Sequence, residues 1–242
     1  MSGSVPVDLS LLTPLHNEKT WAGRIIRDIT SGLDKLSIRY ELILSENGST
    51  DGTEKVLKEI SSGKENIRVL SIKEADYGAS LKKGLQASTG KSVYIFDFDL
   101  WQPEFLIKAL KLQDSHPRSV IVGNKITGND FRPARRRAAT LLLSKFTGFF
   151  FPELKGIDIH GSMLITGITG KKASRRCRRG GDSFKLELLL CLKDDEAEII
   201  SVPMNVSEIR SRRTGILRSA LSFASGAAAI RAERTRLPGR TS

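Results

Sequence analysis

Short apolar runs alternate with stretches of helical period along the first hundred residues. "VDLSLLTP", Val7 to Pro14, reads as a strand stopped by its proline. Lys19 to Leu36 follows with Trp21, Ile25, Ile26, Ile29 and Leu33 at helical spacing. "YELILSENGSTDGT", Tyr40 to Thr53, is a strand entering a turn, with Asp51 as N-cap of a helix through Val56, Leu57 and Ile60. "IRVLSI", Ile67 to Ile72, is a third strand, followed by a turn containing Gly78 and a helix from Ser80 to Ala87. "KSVYIFDF" is the fourth strand. This alternation predicts an α/β fold built from βαβ units, with a mostly parallel central sheet and helices on both faces.

The second half is less regular. "SVIVGNK", Ser119 to Lys125, reads as a strand, Gly128 to Pro133 as a loop, and Ala138 to Phe150 as a helix rich in Leu and Phe. "SFKLELLLCLK" reads as a helix and "AEIISVPMNV" as a late strand. From Ile216 to about Arg236 the period is again helical, with Leu217, Leu221 and Ala224 on the apolar face. The pattern divides the chain into one domain over 1–215 and a basic amphipathic helix and tail over 216–242. There is no internal repeat.

Composition narrows the function only through charge. The 242 residues carry a formal net charge of +12, and a hydrophobic fraction of 39% suffices for an ordinary soluble core. Signs are mixed up to about Leu112. Arginine clusters follow: Arg135-Arg136-Arg137, Arg175-Arg176 with Arg178-Arg179, Arg210 with Arg212-Arg213, then Arg231, Arg234, Arg236 and Arg240. Such clusters suit nucleic acid, an anionic membrane face or phosphorylated substrates. Aromatic residues are not interleaved with them as in a stacking platform, so nucleic acid is not the expected partner. Cys177 and Cys191 lack metal-type spacing and read as reduced thiols of a cytosolic protein. The first residues do not read as a signal peptide. No apolar run approaches the roughly 18–20 residues that span a bilayer. Membrane contact, if made, is peripheral and from the cytoplasmic side.

The candidate chemistry falls directly after predicted strands, where open parallel sheets bind ligands. Asp97 and Asp99 in "YIFDFDLWQP" form an Asp-x-Asp suited to Mg2+ or Mn2+ held jointly with substrate phosphates. Glu46 and Asn47 in "ENGSTDGT" are placed to hydrogen-bond a nucleobase edge, with Gly48 permitting the turn. "TPLHNE" brings Asn17 and Glu18 to the same nucleotide, and "DYGASLKKGL" places Gly78 and Lys82 beside it.

The order Pro14-x-x-Asn17-Glu18, then "ENGSTDGT", then "YGASLKKG", then Asp97-x-Asp99 resembles the family 2 glycosyltransferases of GT-A (Rossmann-like) fold. "GIDIHGSMLI", "SFKLELLL", "ISVPMNV" and "IRSRRTGIL" extend the likeness toward the dolichyl- or polyprenyl-phosphate mannose synthase branch, over roughly Val7 to Leu217. The resemblance implies a metal-dependent, inverting transfer of sugar from a nucleotide-sugar donor. The acceptor it favours is a polyprenyl phosphate on an anionic membrane surface. It puts Pro14, Asn17, Glu18, Glu46, Asn47, Gly48, Gly78, Lys82 and Asp97 around the nucleotide, with Asp97 and Asp99 on the metal. Lys125, Arg135, Arg136, Arg210, Arg212 and Arg213 become candidates for the diphosphate or the acceptor phosphate, since guanidinium forks match phosphate oxygens. Asp99, Glu187 and Asp158 are the candidate catalytic carboxylates, and His160 reads as structural.

Two positions depart from the family. Glu46-Asn47 stands where Asp-Asp is usual, which leaves the base open. Trp101 stands where the branch often has a polar metal-binding residue, and either packs on the sugar or joins the core. A non-catalytic basic module for membrane or nucleic acid is the competing class. Nucleotidyl transfer ranks third, because "TPLHNEKTWAG" is not the glycine-rich loop such enzymes carry after the first strand.

Overall fold

The computed structural model describes residues 6–206 and 216–236, with the side chains of 216–218 excepted. Strands β1 (Leu9–Leu15), β2 (Tyr40–Asn47), β3 (Ile67–Ile72) and β4 (Ser92–Ile95) alternate with helices α1 (Lys19–Asp34), α2 (Thr53–Ser61) and α3 (Tyr77–Ala87). After β4 come α4 (Pro103–Ser115), β5 (Val120–Asn124), α5 (Ala134–Phe150), β6 (Met163–Thr166), α6 (Gly167–Arg176), α7 (Phe184–Asp194), β7 (Ile199–Pro203) and α8 (Ile216–Arg236). The seven strands form one sheet in the order β3-β2-β1-β4-β6-β5-β7. Only β6 runs against its neighbours, so the sheet is mixed but mostly parallel.

Alternation along the strands loads both faces. Leu9, Leu11, Tyr94 and Phe96 point into a core shared with Ile25, Ile26 and Ile29 of α1, Leu57 of α2 and Leu106 of α4. Leu12, Val93 and Ile95 point the other way, into a core with Leu81 and Leu85 of α3, Ala173 of α6 and Leu188 and Leu189 of α7. Central strands buried on both sides read as continuous apolar runs rather than alternating ones, as "VYIF" does.

Four local expectations change. Pro14 lies inside β1 rather than ending it, because β4 pairs with β1 only as far as Leu12. Beyond Leu12 no N–H of β1 is needed toward β4, so a proline fits there. Gly78 belongs to α3, whose N-cap is Asp76, with its side chain accepting from Ala79 N–H. The N-cap of α2 is Gly52, in a left-handed conformation at φ 90°, while Asp51 Oδ1 accepts from Thr53 N–H one step inside. In α8 the buried residues are Phe223, Ala227 and Ile230, whereas Leu221 is 63% exposed. The phase of that helix is set by Phe223, whose ring meets Phe146 of α5 and His160, and by Gly226, which lets the helix approach Ser183. Neither β6, α4 nor α6 was expected from periodicity.

Candidate active site

The chain leaves β1, builds β2 and β3 outward on one side, and returns to place β4 on the other side of β1. The carboxyl ends of β1 and β4 therefore flank the switch point where open sheets form a crevice. β6 enters the sheet antiparallel at this same edge, with Met163 opposite Ile95. That reversal brings the preceding residues, Asp158 to Ser162, among the strand ends. β5 finishes there too, delivering Lys125.

The loops after β1 and β2 are laced together. Asn17, at φ 56°, donates its N–H to Ser49 Oγ at 2.9 Å and accepts at Oδ1 from Thr50 N–H at 2.9 Å. His16 Nδ1 lies 2.8 Å from the Asn47 carbonyl, and Glu18 N–H donates to Thr53 Oγ1 at 2.7 Å. Glu46 Oε1 accepts from Ser49 N–H at 2.6 Å, and Asn47 Oδ1 accepts from Asp76 N–H at 2.7 Å. One oxygen of each thus shapes the loops. Gly48 is required by geometry: its φ is 62° and a Cβ would stand 2.8 Å from Ala75 N.

Asp97 and Asp99 follow β4 and are 8% and 5% exposed. Their settings differ. Asp97 Oδ1 accepts the Tyr77 hydroxyl at 2.7 Å and lies 4.0 Å from Lys185 Nζ. Asp99 makes no hydrogen bond or ion pair with the described residues. Lys185, in the first turn of α7, is 1% exposed, donates to the Gly161 carbonyl at 3.2 Å, and sits 5.8 Å from the Tyr77 ring centre. It reaches the edge because α7 starts against α3. Gly181 N–H donates to Asp76 Oδ1 at 2.7 Å, and a Cβ on Gly78 would stand 2.7 Å from both Gly180 C and Phe184 Cβ. Tyr77 and Lys185 were not singled out in the sequence. A lysine inside the otherwise apolar "FKLELLL" was the available signal.

Lys125 and Asp158 form a second buried pair at 2.9 Å, each side chain 3% exposed. Asp158 also accepts from Lys125 N–H and His160 N–H, both at 3.2 Å. Burial raises its carboxyl, but the Lys125 charge and these hydrogen bonds outweigh burial and hold it below the ordinary carboxylate range. Burial lowers His160 to about 4, opposed by Asp158 and reinforced by the Lys125 and Lys185 charges, so the ring is neutral near pH 7. Glu187 Oε2 accepts from Arg178 N–H at 2.9 Å and Arg179 N–H at 2.7 Å, organising the segment that leads to Gly181.

The remaining candidates scatter. Pro14 pairs opposite Ser45 within the sheet. Gly78 packs on Gly180, and Lys82 Nζ donates to the Cys177 carbonyl at 2.7 Å, tying α3 to the end of α6. Arg135 is exposed and Arg136 half-buried in the first turn of α5. Arg210, Arg212 and Arg213 lie outside the described residues. Trp101 joins the core: its ring meets Phe96 at 5.6 Å and Tyr94 at 6.4 Å, and a Cβ on Gly32 of α1 would stand 3.2 Å from it.

Among the described residues, no three His, Cys, Asp or Glu side chains gather as a self-sufficient metal site. Two hard carboxylates, one of them without a partner among the described residues, fit a cation that brings further oxygen ligands with it, as Mg2+ or Mn2+ does with phosphates.

Residues 10–169 match the family described as glycosyl transferase family 2. Two curated relatives are named undecaprenyl-phosphate 4-deoxy-4-formamido-L-arabinose transferase. The protein from Proteus mirabilis (strain HI4320) is 25% identical over 144 residues, which is 58% of this chain and 44% of that one. The protein from Pseudomonas fluorescens (strain SBW25) is 27% identical over 144 residues, 58% of this chain and 42% of that one. The chain thus spans less than half the length of these relatives. Among solved structures, it superposes on glucosyl-3-phosphoglycerate synthase from Mycobacterium tuberculosis, in complex with Mn2+, UDP and glucosyl-3-phosphoglycerate, with a TM-score of 0.67 and 22% identity, covering 96% of this chain and 81% of that one. Mannosyl-3-phosphoglycerate synthase from Rubrobacter xylanophilus gives a TM-score of 0.68 at 16% identity, covering 96% and 76%. At these identities the likeness is one of fold.

Proposed function

We infer the function from the premise that the chain belongs to glycosyl transferase family 2. It moves a sugar from a nucleotide-diphosphate sugar to a polyprenyl phosphate, at the cytoplasmic face of a membrane and with inversion. What supports this most is the meeting of the β1, β2 and β4 ends, where two nearly buried carboxylates stand beside loops able to hold a nucleotide. The curated relatives are named for an undecaprenyl-phosphate acceptor, and that acceptor class is carried over as part of the inference.

The loops carrying Asn17, Glu46 and Asn47 hold the nucleoside, and Asp97 with Asp99 holds Mg2+ or Mn2+ against the diphosphate. A cation held by these two carboxylates would supply charge neutralisation and Lewis-acid polarisation of the leaving group. The acceptor phosphate oxygen attacks the anomeric carbon as its bond to the β-phosphate oxygen breaks, the diphosphate leaving with the electron pair. An ionised phosphate needs no strong general base. That suits Asp158 and Glu187, whose oxygens already accept protein hydrogen bonds. Their part is to position Lys125 and the Arg178–Arg179 backbone at the cleft. Arg135 and Arg136 guide the phosphorylated acceptor, while buried Lys125 stays paired with Asp158.

For the membrane side, α5 exposes Leu142 (67%) and Phe149 (78%) below a first turn carrying Arg135 and Arg137, a basic and apolar combination suited to anionic lipid. None of the described helices is long and apolar enough to cross a bilayer.

A thermal-shift panel of GDP, UDP, dTDP and their sugars, with and without Mn2+, tests the donor assignment. At least one nucleotide raises the melting temperature in a Mn2+-dependent manner, and Asp97→Asn with Asp99→Asn abolishes the effect. A panel with no response overturns the transferase reading.

A further inference from the structure

The two carboxylates of the Asp-x-Asp are held unequally. Asp99 makes no hydrogen bond or ion pair with the described residues, although it is only 5% exposed. Asp97 Oδ1 carries the Tyr77 hydroxyl at 2.7 Å and faces the Lys185 ammonium at 4.0 Å. Lys185 is fixed there rather than swinging in from solvent. Its side chain is 1% exposed, and Nζ also donates to the Gly161 carbonyl at 3.2 Å. Tyr77 is fixed in turn by the packing of α3 on Gly180 and Phe184.

A positive charge this close to a carboxylate oxygen opposes a second cation on the same oxygen, and a hydroxyl donated to it uses a lone pair the cation would need. Within the reading of the chain as a metal-dependent transferase, on which this inference rests, the geometry points to a gated metal ligand. Asp99 is the standing ligand, whereas Asp97 is masked by Lys185 and Tyr77 until the donor diphosphate arrives. The cation alone therefore binds weakly, through Asp99. It gains Asp97 only when diphosphate oxygens complete its shell and draw the ammonium toward their own negative charge. Lys185 and Tyr77 are in this sense positioning residues: they set the order in which metal and donor assemble.

The experiment is titration of the full chain with Mn2+ alone, without nucleotide, following the free-ion signal by electron paramagnetic resonance. Lys185→Met removes the charge at nearly constant volume and should tighten Mn2+ binding at least ten-fold over wild type. Lys185→Arg keeps the charge and should bind as wild type does. Tyr77→Phe frees one oxygen and should tighten binding about three-fold, and Asp97→Asn should erase the gain when combined with either variant. A defect confined to folding would weaken metal binding, not strengthen it. If folded Lys185→Met binds Mn2+ no more tightly than wild type, the gating is wrong. Should that variant not fold, Tyr77→Phe decides on the same criterion. Wild type that binds no nucleoside diphosphate with Mn2+ present overturns the transferase reading instead. Wild type that binds one while both variants show no gain overturns the gating alone.

Discussion

Replacing Asp158 by asparagine strands a buried ammonium. Lys125 and Asp158 are each 3% exposed and 2.9 Å apart, so neither charge has water as an alternative partner. Asparagine keeps one acceptor for the Lys125 or His160 N–H but supplies no counter-charge. Removing one partner of such a pair costs about 3–5 kcal/mol, which for a chain of this size is a fall of roughly 6–20 °C in melting temperature. Lys125→Met alone should cost a similar amount by orphaning the carboxylate. The double variant Lys125→Met/Asp158→Asn removes both charges while keeping a polar acceptor, and should be less unstable than the sum of the singles by at least about 2 kcal/mol. Urea melts of the four proteins at pH 7 give the cycle. The Asp158 carboxyl lies below its ordinary value in the folded chain. Its contribution is therefore complete above the unfolded value and is lost as pH falls through the folded one, so the acid limb should flatten in Asp158→Asn. A single-variant loss below about 1 kcal/mol, or strict additivity, would refute this account of the pair.

His160 adds acid sensitivity of the same sign, beginning at higher pH. Folding lowers it from 6.5 to about 4, so the unfolded chain binds the extra proton and stability falls as pH drops from 6.5 toward 4. His160 keeps partial solvent contact, so about 3 kcal/mol is an upper bound on this term. His160→Phe melts at pH 7 and pH 4.5 should differ less than those of wild type, and an unchanged difference would remove the assignment. On the lipid side, Leu142→Ser with Phe149→Ser should lower co-sedimentation with anionic vesicles at low salt several-fold. Both side chains are largely exposed, so stability should shift by no more than about 0.5 kcal/mol. Undiminished sedimentation would detach α5 from the membrane reading.

The parallel half of the sheet was legible because each of its strands is a short apolar run bounded by turn residues. β6 was not, since "MLIT" has only four residues and its antiparallel entry follows from packing between β4 and β5. The phase of α8 was misread for a related reason. Leu221 suits an apolar face by composition, but Phe223 is the residue that finds His160 and Phe146 to pack on. At the site, residues at the carboxyl ends of strands or just beyond them could be located by counting, as with Glu46, Asp97 and Asn17. Tyr77 and Lys185 could not, because their nearness to Asp97 depends on how α3 meets α7, a contact between segments far apart in sequence and mediated by Gly78 and Gly180. Trp101 stood where a polar group was expected, and only the opening left by Gly32 shows that its ring turns toward α1 and away from the cleft.

A buried carboxylate must be neutralised, hydrogen-bonded or given a cation, and the carboxylates at this edge answer that demand in different ways. Glu46 takes the Ser49 N–H, and Glu187 takes two backbone N–H groups. Asp158 has the Lys125 ammonium and two N–H groups, and Asp97 has the Tyr77 hydroxyl with the Lys185 ammonium beside it. Asp99 has none of these among the described residues. Beside these four, a carboxylate two residues from Asp97 with no hydrogen bond or ion pair among the described residues is not explained by packing. Under the proposed function, a ligand that supplies the missing positive charge would account for it, at a place where Lys185 already offsets part of the negative charge. A single divalent cation shared with a diphosphate, as proposed, would meet both conditions. A basic module that only binds lipid or nucleic acid gives no reason for keeping Asp99 bare.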